Sequence, residues 1–165
     1  MHHTLRFYGK HVNGFLRLYM LLAGLTRVPV LGLVVRWLAN SYGNGAHSGF
    51  VLTLEEAERI VDAATSIALG PCSCRRTFVN CDNPMNVEIL VGLGAEVFAH
   101  IGRDGFEMIS RESAKEILQL CYKGNLVHTL VRCRGDFYAI CNCCSCCCVP
   151  LRLRRNYGIG YALVR

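Results

Sequence analysis

Residues 126–148 read LVHTLVRCRGDFYAICNCCSCCC, and two signals in this stretch set the expected architecture. LVHTLVRC (126–133) and FYAICNC (137–143) flank Arg134-Gly135-Asp136, the pattern of a β-hairpin. The second run then passes into a concentration of thiols, Cys141, Cys143, Cys144, Cys146, Cys147 and Cys148, six cysteines within eight positions. Packing does not require them, because one or two apolar side chains would fill that volume without redox liability. Soft-metal binding, a disulfide knot or a redox relay would.

The 165-residue chain is 52% hydrophobic, enough for one domain with a core of its own, or a domain plus an appendage. Disulfide-dense scaffolds are usually short secreted chains without such a core, and the cysteine count here, 11, is odd. Both points favour reduced, metal-binding thiols in a cytoplasm. The formal net charge of +6 is unevenly placed, with all 12 acidic residues between Glu55 and Asp136. Arg6, Lys10, Arg17, Arg27 and Arg36 precede that segment, and Arg152, Arg154, Arg155 and Arg165 follow it. Basic ends around an acidic middle suit an acidic protein or a membrane face, or serve solubility alone. Nucleic acid is not expected, since no aromatic-studded basic stripe is present.

The most apolar part is FLRLYMLLAGLTRVPVLGLVVRWLA (15–39). Its uncharged runs, 18–26 and 28–35, fall short of the ~20 apolar residues that span a bilayer, and it lacks the layout of a signal peptide. Two helices, 11–26 and 29–41, are predicted, with Pro29 in the first turn of the second. Helices apolar all round are buried against the domain, a partner subunit or a membrane interface, so oligomerisation stays open. SYGNGAHSG (41–49) reads as a turn-rich linker, dividing a docking segment (1–49) from a cluster-binding domain (50–165). Thr53-Leu-Glu-Glu56 is a capping box for a helix to about Ala68, stopped by Gly70-Pro71. Asn83 and Pro84 open a second helix toward Gly92, resuming over 95–100. Ser110 caps a third, 111–123, closed by Gly124, and VPLRLRRNYG (149–158) forms a last short one. The fold class is α+β: a helix-rich small domain with a β-hairpin and cluster-binding loops, preceded by an apolar helical segment.

A second group of thiols, Cys72-Ser73-Cys74 with Cys81, lies before the expected Asn83 helix. Free N–H groups and the positive end of a helix dipole stabilise thiolate there, and Arg75 and Arg76 add positive charge. Three thiolates need a fourth ligand. The C-x-C-x₆-C spacing of this group is not the C-x₂₋₄-C pair of zinc sites, and the bacterial ferredoxin run is absent. Within 141–148, successive side chains on a strand point to opposite faces, and on a helix they diverge by about 100°. Adjacent pairs such as Cys143–Cys144 therefore serve two irons of one cluster or two separate centres. The run can ligate one four-iron cluster, with one or two thiols left to complete the 72/74/81 site. A metallothionein-like store is disfavoured by the caps, helices and hairpin. Cys121 and Cys133 have no ligand-spaced neighbour and read as buried small hydrophobes. His128 reads as structural, or else as a ligand or hydrogen-bond donor at a cluster edge. Gly92-Leu-Gly94 is expected in a helix turn rather than after a strand, so no nucleotide fingerprint is claimed. No Ser/His/Asp arrangement or acid–base pair stands out.

Four motifs, Cys72-Ser-Cys74-Arg75, Cys81-Asp-Asn-Pro84, Gly124-Asn-Leu-Val-His128 and Ile140–Cys148, together resemble a family of iron–sulfur proteins of anaerobes of the four-iron ferredoxin type, over roughly residues 53–156. The resemblance implies one or two [4Fe–4S] clusters, held by Cys72, Cys74, Cys81 and most of Cys141–Cys148. It also implies electron transfer to a redox partner protein or a larger oxidoreductase complex. Where the family pattern has a further Cys after the Pro, this chain has Met85-Asn-Val-Glu88. Either a run cysteine substitutes, or Glu88 or His128 ligates an iron, or an iron is open or missing. The Cys–Cys run is also similar to the non-cubane cluster domain of heterodisulfide reductases, with different spacing. Two further classes stand beside the electron carrier. One is a colourless zinc-binding interaction module. The other is an iron–sulfur enzyme or sulfur-transfer protein using an open iron near Glu88 or a free thiol such as Cys146.

Overall fold

The computed structural model describes residues 2–45, 47–100, 105–133 and 135–164. Ala46 of the expected linker, Arg134 of the expected hairpin turn, Arg165 and the side chain of Arg6 lie outside the described residues.

The hairpin forms as read. β5 (Val127–Cys133) and β6 (Asp136–Cys143), numbered by chain order, pair antiparallel, with a register shift between Val131 and Arg132. The shift leaves Tyr138 and Ala139 packed in the same cluster. Around this hairpin stands a larger sheet than the sequence reading foresaw. β1 (His47–Leu52) pairs with β5, and β3 (Asn86–Val91) pairs with β6. β2 (Ile67–Pro71), β4 (Glu107–Met108) and β7 (Leu163–Val164) complete the order β4-β2-β3-β6-β5-β1-β7. Only the β1–β7 pair is parallel among the described strands.

Two of these strands replace expected helix. Residues 67–71 are buried throughout, and 87–91 likewise. A short apolar run buried on both faces carries no alternation, so periodicity alone cannot separate it from a helical turn. Gly70 and Pro71 thus end a strand instead of stopping a helix. The helix capped by Thr53 is shorter than expected, α3 (Leu54–Ala63), although both arms of its capping box are made. α4 (Ser73–Phe78) occupies what reads as a loop. Gly92 follows a strand, contrary to expectation, and has φ 51 at the entry to α5 (Leu93–His100). A third glycine is still missing, since Val97 stands at that position. α6 (Arg111–Lys123) and α7 (Val149–Tyr157) match expectation, with Ser110 Oγ accepting from the Ser113 amide.

The N-terminal segment also differs. α1 (His2–Gly24) and α2 (Leu31–Gly45) are longer than predicted, and Pro29 lies in the turn between them, before Val30 at φ 64. Residues 41–49 are not a linker, because α2 and β1 divide them. Gly43 serves close packing here: a Cβ on it would stand 2.9 Å from the Tyr161 carbonyl oxygen.

Two layers of helix sandwich the sheet. α3 and α6 cover one face through Ala57, Val61, Ala114 and Leu118, packed on Leu69, Ile89, Leu130 and Ile140. Each fully buried side chain of this size is worth about 1.5–3 kcal/mol. The other face carries α5, with Phe98 stacked on Tyr138, and beside it α1 and α7, joined through Val12, Leu16, Val149 and Leu153. No described helix is long and apolar enough to cross a membrane.

Candidate metal centre

Strand parity sorts the thiols of β6. Ile140 packs toward α3 and α6. Asn142, two residues on, accepts through Oδ1 from His128 Nδ1 (2.5 Å), and the His128 ring stacks on Tyr122 of α6. Cys141 and Cys143 therefore face the opposite side, where they line a cavity of about 430 Å³. The chain leaves the sheet at Cys143 and turns, with the Cys148 amide donating to the Cys144 carbonyl at 3.1 Å. That turn separates the run into two groups.

The first group is Cys81 with Cys144, Cys146 and Cys147, whose sulfurs all lie within 4.8 Å of one another. Cys81 Sγ is 3.7 Å from Cys144 Sγ and 3.7 Å from Cys147 Sγ. Metal–sulfur bonds of ~2.3 Å in a tetrahedron give edges of about 3.8 Å. The group thus has the dimensions of a site for one tetrahedral ion. Its sulfurs accept hydrogen bonds from the Asn80 amide to Cys147 (3.3 Å) and from Asn83 Nδ2 to Cys81 (3.3 Å). Burial pushes the Cys81 thiol up, but hydrogen bonds from Cys146, from the Asn83 backbone and side chain and from Cys144 outweigh it and bring the pKa down to about 6. Burial, and the protons it shares with Cys81 and Cys144, push Cys146 up to about 12. One thiolate is therefore ready at neutral pH, the form that binds metal.

The second group is deeper. Cys72 precedes α4, Cys74 lies in its first turn, and both border the cavity with Cys141, Cys143 and Cys148. Cys143 bonds Cys141 and Cys148, and Cys148 bonds Cys74. Thr129 Oγ1 lies 3.3 Å from Cys143 Sγ, and the Val149 amide donates to Cys74 Sγ at 3.5 Å. Hydrogen bonds from Cys141 and Cys148 hold the Cys143 thiol well below its ordinary value. Burial raises Cys72, helped by the neighbouring Cys74, Glu88 and Cys143.

The remaining candidates fall around these groups. Arg75 is 1% exposed and donates to the Pro84 carbonyl (2.5 Å) and the Asn142 carbonyl (2.6 Å). Burial opposes its charge, yet Cys72, Cys144 and Cys143 around it raise its pKa on balance. It is the buried cation between the two groups, whereas Arg76 is exposed. Glu88 is opposite Cys141 across the sheet and borders the cavity; its Oε2 accepts from the Ser73 amide (3.1 Å) and Ser73 Oγ (2.9 Å). His128 lies on the far face of the sheet, bonded to Asn142, away from the cavity. Cys121 is buried, with burial raising its pKa to about 11, and Cys133 packs beside α5. All 11 cysteines are free thiols. Cys72, Cys74 and Cys81 pack in one cluster with Cys144, Cys146 and Cys147, but at single-ion spacing only Cys81 joins the turn, while Cys72 and Cys74 border the cavity with the β6 thiols. Asn80, Asn83, Thr129 and Asn142 escaped the sequence reading. The first two flank Cys81 in sequence, but Thr129 and Asn142 are recognisable only once the β5–β6 register is known.

Compared with known proteins, the chain matches no family model, no curated protein and no solved structure. The chemistry of the donor set is therefore the guide: four thiols at single-ion spacing, N–H donors on the sulfurs, and a buried guanidinium. Thiolate sites of this kind take zinc or iron.

Proposed function

We propose that the chain is an iron–sulfur electron-transfer protein whose surface-near centre is Cys81, Cys144, Cys146 and Cys147. The observation that carries the reading is the convergence of those four thiols within 4.8 Å beside the buried Arg75. Cys81, Cys144, Cys146 and Cys147 would hold the iron, which would supply a one-electron redox couple. N–H···S bonds from Asn80 and Asn83, and the nearby guanidinium, favour the more negative reduced form and so raise the potential. The family resemblance adds the expectation of [4Fe–4S] clusters. The four sulfurs of a cubane bind four different irons and stand farther apart than 3.7 Å, so a four-iron cluster suits the larger thiol group better than this one.

The same 3.7 Å edges favour one second reading, a zinc-binding interaction module, because Zn²⁺ takes an identical tetrahedron without redox chemistry. Metal and acid-labile sulfide analysis with an absorption spectrum, on protein purified without oxygen, tests both. Coloured protein with iron supports the carrier; colourless protein with zinc and no sulfide ends it.

An electron carrier needs a partner. α1 and α2 expose Leu21, Leu33 and Trp37, the last 68% exposed, and their positive charge includes Arg17 and Lys10. This apolar, basic face supports docking to an acidic redox partner protein or complex. Arg17→Gln with Trp37→Ser should weaken that association in pull-downs from the native host, and retention on anionic vesicles instead would mark a membrane face.

A further inference from the structure

Seven thiols lie outside the Cys81 group, and five of them share one cavity. Cys72, Cys74, Cys141, Cys143 and Cys148 line about 430 Å³ between the sheet and the helices α1, α2 and α7. They come from three separate places in the chain: the start of α4, the end of β6 and the residue before α7. Protein interiors are close-packed, and a void of this size forfeits contacts along its whole lining. Larger apolar residues at those five positions would fill much of it. We infer that this wall holds a second metal–sulfur centre, polynuclear and built on iron with inorganic sulfide, separate from the Cys81 site. That its metal is iron rests on the electron-carrier reading; that the site exists does not.

The geometry argues for more than one metal atom. The five thiols border the cavity from three separate places in the chain. They do not gather about one point as the Cys81 group does, which among the described residues is the only such gathering of three or more metal-binding side chains. A single ion needs its four sulfurs about 3.8 Å apart and would leave most of the cavity empty. Thiols strung along a wall each serve a different metal atom, with sulfide filling the space between.

The surroundings suit an anionic cluster. The Val149 amide and Thr129 hydroxyl lie against Cys74 and Cys143, and Arg75 supplies the countercharge. Such contacts orient ligands and tune a centre's potential. Val12, Leu16 and Ala23 of α1 are buried and line the same cavity, so the N-terminal helix supplies part of its apolar lining. Cys144 belongs to the Cys81 group and also lines the cavity. It is the direct link between the two centres, and an electron entering at the exposed one would pass inward there.

The test uses the full chain, purified without oxygen, with iron, zinc and acid-labile sulfide counted per chain in wild type, C81S/C146S and C141S/C143S. C81S/C146S should lose one metal ion and keep all of its sulfide. C141S/C143S should lose its sulfide and keep that one ion. A C81S/C146S variant stripped of every metal, while wild type holds iron, overturns the second centre alone. Zinc without sulfide in wild type, with metal still held by C81S/C146S, overturns the electron-carrier reading and the iron assignment but leaves the site standing. If C141S/C143S does not fold, ¹¹³Cd NMR of the cadmium-loaded wild-type chain decides. Cadmium resonances coupled to one another through shared thiolate are expected, and a single uncoupled resonance overturns the proposal.

Discussion

The two faces of one sheet differ more than any two elements of the chain. Ile89 pairs with Ile140 across β3 and β6, and both face α3 and α6 in an apolar core that the buried His128–Asn142 pair borders on the same face. One residue away, Glu88 pairs with Cys141, and both face the cavity. The same two strands thus carry apolar packing on one side and ionisable, metal-ligating chemistry on the other. Alternation along a strand makes this possible without disturbing the ladder. The difference teaches where stability and function are separable: changes on the α3/α6 face should act on folding, and changes on the thiol face should act on metal first.

The largest expected effect is on the thiol face. Arg75→Met keeps the length of the side chain but removes the donors to Pro84 and Asn142 and the charge beside Cys72 and Cys144. Removing one partner from a buried charged arrangement costs about 3–5 kcal/mol. Urea unfolding of the metal-loaded chain should show that loss, together with reduced metal retention against a chelator. On the other face, Leu118→Ala empties a fully buried position in the apolar core and should cost about 2–5 kcal/mol with metal content per folded chain unchanged. Metal lost in step with stability in Leu118→Ala would break the separation of the faces.

A pH measurement sharpens the contrast between the two thiol groups. Cys81 in the folded, metal-free chain titrates near 6, below the ordinary thiol value of 9.0. A depressed pKa means that its contribution is fully present above 9.0 and is lost as pH falls through about 6. The urea midpoint of the reduced, metal-free chain should therefore rise from pH 6 toward pH 9. Iodoacetamide should label Cys81 with a midpoint near pH 6, well before Cys121, whose thiol is held up at about 11. Equal labelling midpoints for the two would remove the basis for a preformed thiolate at the exposed site.

How much of this was legible in the sequence depended on local signals. The hairpin, the Ser110 cap and the Thr53 capping box were readable because each is specified within a few residues. The strands 67–71 and 86–91 were not, since burial on both faces erases the alternation that marks a strand. That error hid the site's layout. Glu88 enters the sequence reading only because it falls near where the family pattern has a Cys after Pro84, and neighbourhood in sequence is what groups Cys72, Cys74 and Cys81. The actual partition follows from β3–β6 pairing and from the turn at Cys144, both of which are tertiary facts. Likewise, Gly43 signals close approach to Tyr161 as readily as a linker, and composition cannot distinguish the two.

The smallest expected effect is the control for the whole comparison. Thr53 Oγ1 accepts from the Glu56 amide at 3.2 Å, and Glu56 Oε2 accepts from the Thr53 amide at 2.7 Å. Thr53→Ala breaks the first bond and loosens the second, which costs about 1 kcal/mol, within 0.5–2. The cap stands at the start of α3, on the face without thiols, and α3 reaches the sheet through Ala57 and Val61. A loss confined to that helix should lower the urea midpoint slightly while leaving iron, sulfide and the labelling midpoint of Cys81 where they are in wild type. If so small a change on the far face moved the metal count, the sheet would be transmitting strain between its faces, and stability and metal binding would have to be treated as one cooperative unit.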